Sequence, residues 1–337
     1  MNNDTVYSDQ QTISDLYAAL EDFFTAHPMY SKTDLYIAGQ SYSGGVLVPL
    51  LSKEIITMRL TGRSSIQLKG LIVGNGELSS TQKVYKINEQ FLWMVVTIPD
   101  YDSLRPCCGG SDAETLSGLW CPYDKHFDAD FQPIDDCSRR LVALTDLSKN
   151  SKWMKLNNID NLNQDCYGTG HGKSFDPLST DSQAGFPCYA SAKAEKLLNQ
   201  RSMRSALNVP SEMVQPFEMC NTAIASSYKS QHHDMTATFE MLSSNPGGIR
   251  VLLYAGDLST MGTFMQTRLF VEGLVHEKEY NETSHEPWLY SNQVAGYAKS
   301  FSLPEETTIG TVLALLPYYI DFHYFVNNDT VHVSSRN

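Results

Sequence analysis

A short apolar segment, a glycine-flanked serine and a helical segment follow one another directly, and this order constrains the fold of the 337-residue chain more than any other feature. Residues 35–38 have the length and apolar composition of a buried strand, residues 39–44 are Gly-Gln-Ser-Tyr-Ser-Gly, and a helical pattern covers residues 46–60. A serine on a tight turn between a strand and a helix is a nucleophile elbow, which raises the Ser41 hydroxyl above the sheet. The alternative interpretation is a serine in an ordinary capped turn.

Strands and helices alternate on both sides of this turn, which favours an α/β fold. Apolar residues at three- and four-residue spacing predict a helix that begins after Ser8, its N-cap, and ends at Pro28. Residues 68–73 and 250–254 are apolar runs of strand length, and residues 263–274 predict a helix after the second run. We therefore predict a mostly parallel central sheet with flanking helices.

The middle of the chain interrupts this alternation. Residues 86–190 hold six of the seven cysteines and many Asp, Asn, Gly and Ser, and we interpret them as an inserted subdomain held by cross-links. Residues 1–85 and 191–302 then form the two parts of the core. Residues 303–337 form a divergent apolar tail, and the charged and histidine residues within it disfavour a membrane span.

The charge balance bears on the class of partner. Acidic residues outnumber basic ones 38 to 25, which gives a formal net charge of −13. The electrostatic field of this negative charge repels the phosphate backbone of nucleic acids, so we expect no nucleic-acid partner.

Seven cysteines indicate either disulfides in an oxidising compartment or scattered buried thiols. Glycosylation sequons at Asn3, Asn281 and Asn328 agree with the first interpretation and predict a glycoprotein. Paired CxxC motifs and HExxH are both absent from the sequence, so we expect neither a metal nor another cofactor. The N-terminus has no recognisable signal peptide, so either the protein is cytosolic or the sequence begins within a longer chain.

A serine nucleophile needs a base to take its proton and an acidic group to orient that base. In folds built around a nucleophile elbow, the acid follows a late strand and the base lies nearer the C-terminus. Spacing makes Asp257 the candidate acid, with a turn-capping aspartate as the alternative. The amide of Tyr42 and the following helix N-terminus would face the oxyanion. The downstream histidines are His276, His285, His323 and His332, each of which surface exposure also explains.

Several short segments follow one another in a fixed order along the chain: residues 39–44 with Val48-Pro49, 68–71 with 74–76, the cysteine doublet 107–108, 164–167, 185–188, 251–257, 287–288 and 295–297. In sequence and in order, these segments resemble the serine carboxypeptidases. The resemblance spans about residues 5–302 and implies an α/β-hydrolase fold whose middle segment is a cap over the active site. It also implies release of C-terminal residues from peptides or proteins through an acyl-enzyme on Ser41. Full-length members are lysosomal, vacuolar or secreted.

The resemblance also implies a pattern of disulfides. Three pairs are expected, and Cys220 is expected to be unpaired because the family's N-terminal segment that carries its partner is not recognisable in this sequence. The implied pairs are Cys107–Cys137, Cys108–Cys121 and Cys166–Cys188.

The sequence departs from the family at three functional positions. Gln40 replaces a glutamate that helps bind the substrate carboxylate, and Ser259 occupies the position of the catalytic acid, which leaves Asp257 as the substitute. The family's Gly-His segment is expected shortly after Ser302 but is not found, which leaves His323 as the candidate base. Gln40 and Tyr42 remain the expected substrate-binding and oxyanion-binding residues.

Three hypotheses follow. The chain is a serine carboxypeptidase, a non-catalytic hydrolase-like binding protein, or a truncated or mis-spliced product of a carboxypeptidase gene. The departures predict negligible peptidase activity for the chain as written. The sequence leaves the oligomeric state open, with a homodimer as one option.

Overall fold

The computed structural model describes most of the predicted core and three short pieces of the predicted cap. The described residues are 7–79, 105–108, 123–128, 132–145, 192–219, 221–232, 234–245, 248–259, 262–278, 281–290, 292–302, 308–314, 323–327 and 330–334.

Eight strands lie within these ranges. They are β1 (Leu35–Gln40), β2 (Leu68–Gly74), β3 (Arg250–Gly256), β4 (Asn281–Tyr290), β5 (Gln293–Ser302), β6 (Thr308–Ala314), β7 (His323–Asn327) and β8 (Thr330–Ser334).

Eight α-helices are described, together with short 3₁₀ and π-helical turns. The α-helices are α1 (Asp9–Ala26), α2 (Val48–Leu60), α3 (Asp136–Thr145), α4 (Ala192–Leu198), α5 (Arg201–Ala206), α6 (Thr222–Ser227), α7 (Thr236–Ser243) and α8 (Phe264–Lys278).

Six strands form one mixed sheet in the order β1-β2-β3-β6-β5-β4. The first four in this order are parallel to one another, β5 is antiparallel to β6, and β4 is antiparallel to β5. The remaining two strands, β7 and β8, pair as a separate antiparallel ribbon. The predicted parallel sheet is therefore present, and the antiparallel hairpin β4–β5 extends it.

The register brings the carboxyl ends of the parallel strands together. Gln40 lies beside Gly74, Gly74 beside Tyr254, and Tyr254 beside Val312. In open α/β sheets ligands bind outside this edge, so the described loops that follow β1, β2 and β3 are placed to build a site.

The core lies between the sheet and helices α2, α7 and α8. The residues of β2 are buried or half-buried along the whole strand, as expected for an inner parallel strand. The largest fully buried apolar side chains are Ile55, Leu71, Val73, Leu78, Met235, Phe239, Leu242, Ile249 and Leu253.

The predicted first helix is present with the predicted cap. The Ser8 hydroxyl accepts a 3.3 Å hydrogen bond from the amide of Gln11, and α1 begins at Asp9. Residues 308–314, which lie in the segment predicted as a divergent tail, form β6 inside the main sheet. Within the described ranges, the helices lack the length and apolar character needed to cross a membrane.

One disulfide is described in the predicted cap. Cys107 and Cys137 are joined, with their Cα atoms 5.6 Å apart, as predicted. The predicted pairs Cys108–Cys121 and Cys166–Cys188 and the predicted free thiol of Cys220 lie outside the residues, or the side chains, that the structure describes.

Candidate active site

Ser41 lies at the sharp turn between β1 and the following helix. The strand ends at Gln40, and a π-helical turn, Ser43–Leu47, leads directly into α2. The Ser41 backbone has a φ of 58°, in the left-handed region that costs a non-glycine residue about 1–2 kcal/mol. Ser41 is exposed, so the turn presents its hydroxyl to solvent, as the nucleophile-elbow prediction requires.

Close backbone approach explains the glycines that follow the serine. A Cβ on Gly44 would lie 2.4 Å from the carbonyl oxygen of Gly39, and one on Gly45 would lie 2.2 Å from the amide nitrogen of Glu77. Neither position can hold a side chain without moving backbone. The spacing of glycines around Ser41 is therefore a packing requirement of the turn.

The loop after β2 anchors the elbow from the side. The Glu77 amide donates a 3.2 Å hydrogen bond to the Ser41 carbonyl oxygen. Asn75 in this loop is also left-handed, with a φ of 43°. Its backbone amide donates to the Tyr254 carbonyl oxygen at 2.8 Å, and its side-chain amide donates to the Gly262 carbonyl oxygen at 2.9 Å. These bonds tie the loops after β1, β2 and β3 into one layer.

The elbow also provides hydrogen-bond donors. Tyr42 already has helical backbone angles, φ −58° and ψ −45°, so its amide is among the first-turn N–H groups that have no acceptor within the helix. Such groups carry the positive end of the helix dipole and can stabilise an oxyanion. Gln40 is exposed at the end of β1, beside the nucleophile.

A buried carboxylate holds the side chain of Tyr42. The Tyr42 hydroxyl donates to Asp9 Oδ1 at 2.5 Å and lies 2.8 Å from the hydroxyl of Ser230. Asp9 Oδ1 also accepts from Tyr228 at 2.9 Å. Sequence analysis missed this cluster, because an aspartate in a first helical turn is already explained by the helix dipole.

Asp9 has no solvent exposure and accepts hydrogen bonds on both oxygens. Its Oδ2 takes the amides of Gln231 and His232, at 2.7 and 3.0 Å. Burial raises the pKa of Asp9, but the hydrogen bonds from Tyr42, Tyr228 and the two amides outweigh burial, and the pKa lies below its ordinary value. Burial and the bond to Asp9 raise the pKa of Tyr42. The carboxylate is therefore ionised and the phenol protonated at neutral pH.

The two candidate acid positions follow β3 at the same edge of the sheet as Ser41. Asp257 is half-buried in the turn after the strand, and Ser259 is buried. Since β2 lies between β1 and β3, the ends of these strands are about 10 Å apart at the usual interstrand spacing.

The candidate base is not in this layer of described loops. His323 is the first residue of β7, whose described partner is β8 rather than a strand of the main sheet. The strand next to β3 is β6, which ends at Ala314, and residues 315–322 are not described.

The cap piece around the disulfide contains a second polar cluster. His126 Nδ1 lies 2.5 Å from Asp135 Oδ2, and Nε2 lies 3.0 Å from the Cys107 carbonyl oxygen. The hydrogen bond to His126 is the main cause that lowers the pKa of Asp135 to about 2, and the hydrogen bond from the Ser138 amide adds to the effect. The possible ligand atoms of three residues lie within 4.8 Å of one another, as in a metal site: those of His126, Asp135 and Cys137. The Cys137 sulfur is bonded to Cys107, however, and cannot bind a metal as a thiolate.

Comparison with known proteins gives one consistent result. Residues 1–313 match a family model described as serine carboxypeptidase. Serine carboxypeptidase ctsa-3.2 of Caenorhabditis elegans is 27% identical over 326 residues, covering 86% of this chain and 62% of the relative. The lysosomal protective protein of Mus musculus is 27% identical over 331 residues, covering 88% and 64%. The chain thus spans less than two thirds of the length of these relatives.

A solved structure shares the fold. The prohormone-processing carboxypeptidase Kex1(Δ)P of Saccharomyces cerevisiae superposes with a TM-score of 0.61 at 15% identity, covering 91% of this chain and 63% of that one. The α/β-hydrolase fold predicted from the sequence is thereby confirmed.

Proposed function

The chain belongs to the serine carboxypeptidase family, and we propose that it performs serine-type carboxypeptidase chemistry with Ser41 as the nucleophile. The observation that carries the proposal is the left-handed Ser41 at the end of β1, with its side chain exposed and its carbonyl fixed by Glu77. An ordinary turn serine has no need of this strain. The substrates are peptides or proteins with a free C-terminus.

The reaction is an acyl transfer. The Ser41 oxygen attacks the carbonyl carbon of the last peptide bond, and its proton passes to a base and then to the departing amine. Water, deprotonated by the same base, then attacks the acyl-enzyme and regenerates the serine. During both steps the Tyr42 amide stabilises the negative oxygen.

The proposal assigns roles to three further residues. Gln40, exposed beside Ser41, donates a hydrogen bond to the carboxylate of the substrate. Asp257 orients the base, and His323 is the base. Ser259 occupies the place of the family's acid, and a hydroxyl cannot hold an imidazolium by charge. A loss of orienting charge costs about 10⁴-fold in rate in other serine peptidases, so turnover is expected to be slow.

A second candidate function is favoured by that same residue. A buried Ser259 in place of the acid, together with a preserved elbow, suits a hydrolase-like protein that binds peptide C-termini without cleaving them. A truncated carboxypeptidase gene product would share these features.

The experiment is covalent labelling followed by hydrolysis. The purified chain is treated with a fluorophosphonate and its modified peptide located by mass spectrometry. The same preparation is incubated with N-blocked dipeptides at acidic and neutral pH. Labelling of Ser41 that is lost in Ser41→Ala is expected, together with hydrolysis close to the detection limit, because the departures from the family predict negligible turnover. Absence of both reactions would overturn the peptidase proposal in favour of the binding function.

We also propose that the protein belongs in a secreted, lysosomal or vacuolar compartment. The Cys107–Cys137 disulfide supports this, because such bonds persist in oxidising compartments. The sequons at Asn3, Asn281 and Asn328 agree with it, and Asn281 is exposed. Its partners are then peptide substrates, and a homodimer is an open option for its assembly.

A further inference from the structure

Asp9 is a buried charge with an organised set of partners, and no step of the proposed reaction uses it. It lies 32 residues before Ser41 in the sequence and has no solvent exposure. A buried carboxylate is stable only when hydrogen-bonded, since desolvation otherwise costs several kcal/mol. Here four hydrogen-bond donors surround the Asp9 carboxylate. One of them is the hydroxyl of Tyr42, the residue that follows the nucleophile Ser41.

The donors divide between the two carboxylate oxygens. Oδ1 accepts from the phenols of Tyr42 and Tyr228, and Oδ2 accepts from the amides of Gln231 and His232. The Asp9 amide in turn donates to the Lys229 carbonyl. Asp9 therefore joins the start of α1 to the 228–232 segment and to the elbow.

The Tyr42 ring has three contacts that fix its orientation. Its hydroxyl bonds Asp9 at 2.5 Å and Ser230 at 2.8 Å, and its ring packs edge-on against Tyr228 with centroids 5.9 Å apart. A side chain held at both its tip and its ring restrains its own Cα. The peptide plane between Ser41 and Tyr42 is thereby restrained as well.

We propose that Asp9 is a positioning residue, which holds Tyr42 so that its backbone amide faces the oxyanion that forms on Ser41. The inference rests on the proposed function, because it assigns the oxyanion role to the Tyr42 amide. Asp9 itself touches no reacting atom. Its effect passes through the phenol and the peptide plane, and a misplacement of about 1 Å in such a donor costs up to about 10²-fold in rate.

The two phenols on Oδ1 provide a matched pair of variants. Tyr42→Phe removes the bond that reaches the elbow, and Tyr228→Phe removes the neighbouring bond to the same oxygen. Asp9→Asn keeps the shape of the side chain but removes its charge. A purely structural role of Asp9 would make the two phenylalanine variants alike.

The first measurement is the rate of fluorophosphonate labelling of Ser41 in the full chain. Asp9→Asn and Tyr42→Phe should each slow labelling by about tenfold, and the double variant should be no slower than either single one. Tyr228→Phe should stay within about twofold of the parent chain, although its melting temperature falls. Equal slowing by Tyr42→Phe and Tyr228→Phe, or additive slowing in the double variant, would overturn the inference.

The second measurement needs no activity. In the chain labelled with ¹⁵N-tyrosine, the Tyr42 amide resonance, assigned through its loss in a Tyr42→Phe sample, should shift or broaden in Asp9→Asn and stay in place in Tyr228→Phe. An unmoved resonance in Asp9→Asn refutes the positioning role whatever the labelling shows. A moved resonance in a parent chain that does not label leaves the positioning intact and rejects the peptidase proposal alone.

Discussion

The amide of Glu77 donates to the carbonyl oxygen of Ser41 at 3.2 Å, and the same Glu77 nitrogen lies 2.2 Å from where a Cβ on Gly45 would be. A backbone hydrogen bond and a close backbone contact therefore hold the elbow against the loop after β2. Side chains at the contact would separate the two loops and release the strained serine.

Replacing Gly45 by alanine should destabilise the fold by about 1–3 kcal/mol, because the new Cβ would lie 2.2 Å from backbone that cannot rotate away. Urea unfolding measures the change. Gly273→Ala in α8 is the control, since nothing lies within 4 Å of its Cβ position and alanine favours a helix by about 1 kcal/mol. Equal effects of the two substitutions would show that the close approach at Gly45 is absent.

Ser41→Gly should be about 0.5–1 kcal/mol more stable than Ser41→Ala, although both remove the nucleophile. Glycine adopts a φ of 58° without strain, and this gain exceeds its larger entropy loss on folding. The order should reverse at Ser43, in the helical turn, where alanine is the better residue. Thermal unfolding of the four variants gives the answer, and a more stable Ser41→Ala would argue against the left-handed serine.

Ser259→Asp should raise the rate of N-blocked dipeptide hydrolysis by at least about tenfold, toward the roughly 10⁴-fold that an orienting carboxylate supplies. Ser259→Asn, similar in size but uncharged, is the control. A residual parent rate that disappears in Asp257→Asn would instead support the proposed role of Asp257. Matching rates for the Asp and Asn variants at position 259 would exclude that position as the acid site.

The charge of Asp9 should make stability depend on pH in acid. The pKa of Asp9 in the folded protein lies below the ordinary value of 3.8. The stabilisation that the Asp9 carboxylate provides is therefore complete when the pH is well above 3.8, and it is lost as the pH falls from 3.8 toward the lower folded-state pKa. Asp9→Asn should lose about 2 kcal/mol at neutral pH and show a weaker decline in acid. Urea titrations from pH 7 to about 3 test this, with the exposed Asp22→Asn of α1 as the control; parallel declines for Asp9→Asn and the parent would contradict it.

The cap helix α3 should open more readily in Asp135→Ala than in Asp135→Asn. The Asp135 carboxylate accepts from the Ser138 amide at 2.9 Å, which caps the helix, and asparagine can replace that bond whereas alanine cannot. In the parent chain the same opening should increase as the pH falls from the ordinary value of 3.8 to about 2, where Asp135 becomes protonated. Amide exchange of the helix, corrected for intrinsic rates, measures both effects. Identical exchange in the two variants would remove Asp135 as the cap.

The elbow, the parallel strands and the first helix could be predicted because each depends on neighbours in the sequence. The glycines at 39 and 44, the apolar run before them and the Ser8 cap lie within one strand or one turn of the residues they affect. Local spacing determines such features. The Cys107–Cys137 disulfide could also be predicted, but from the family resemblance and not from local spacing.

The Asp9 cluster and the β4–β5 hairpin could not be predicted, for different reasons. The partners of Asp9 on the 228–232 segment lie about 220 residues away, and no local pattern encodes such a contact. Strand β4 begins Asn-Glu-Thr-Ser-His-Glu and is exposed along most of its length, so it lacks the alternation that identifies a half-buried strand.

Strand β6 lies between β3 and β5 and is the only described strand that links the parallel part of the sheet to the hairpin. During synthesis, the hairpin leaves the ribosome before the strand that joins it to the rest. Until residue 314 emerges, β3 and β5 both present open hydrogen-bonding edges, which are prone to pairing with other chains. Among the described strands, β6 is thus the one whose arrival closes both edges and completes the sheet.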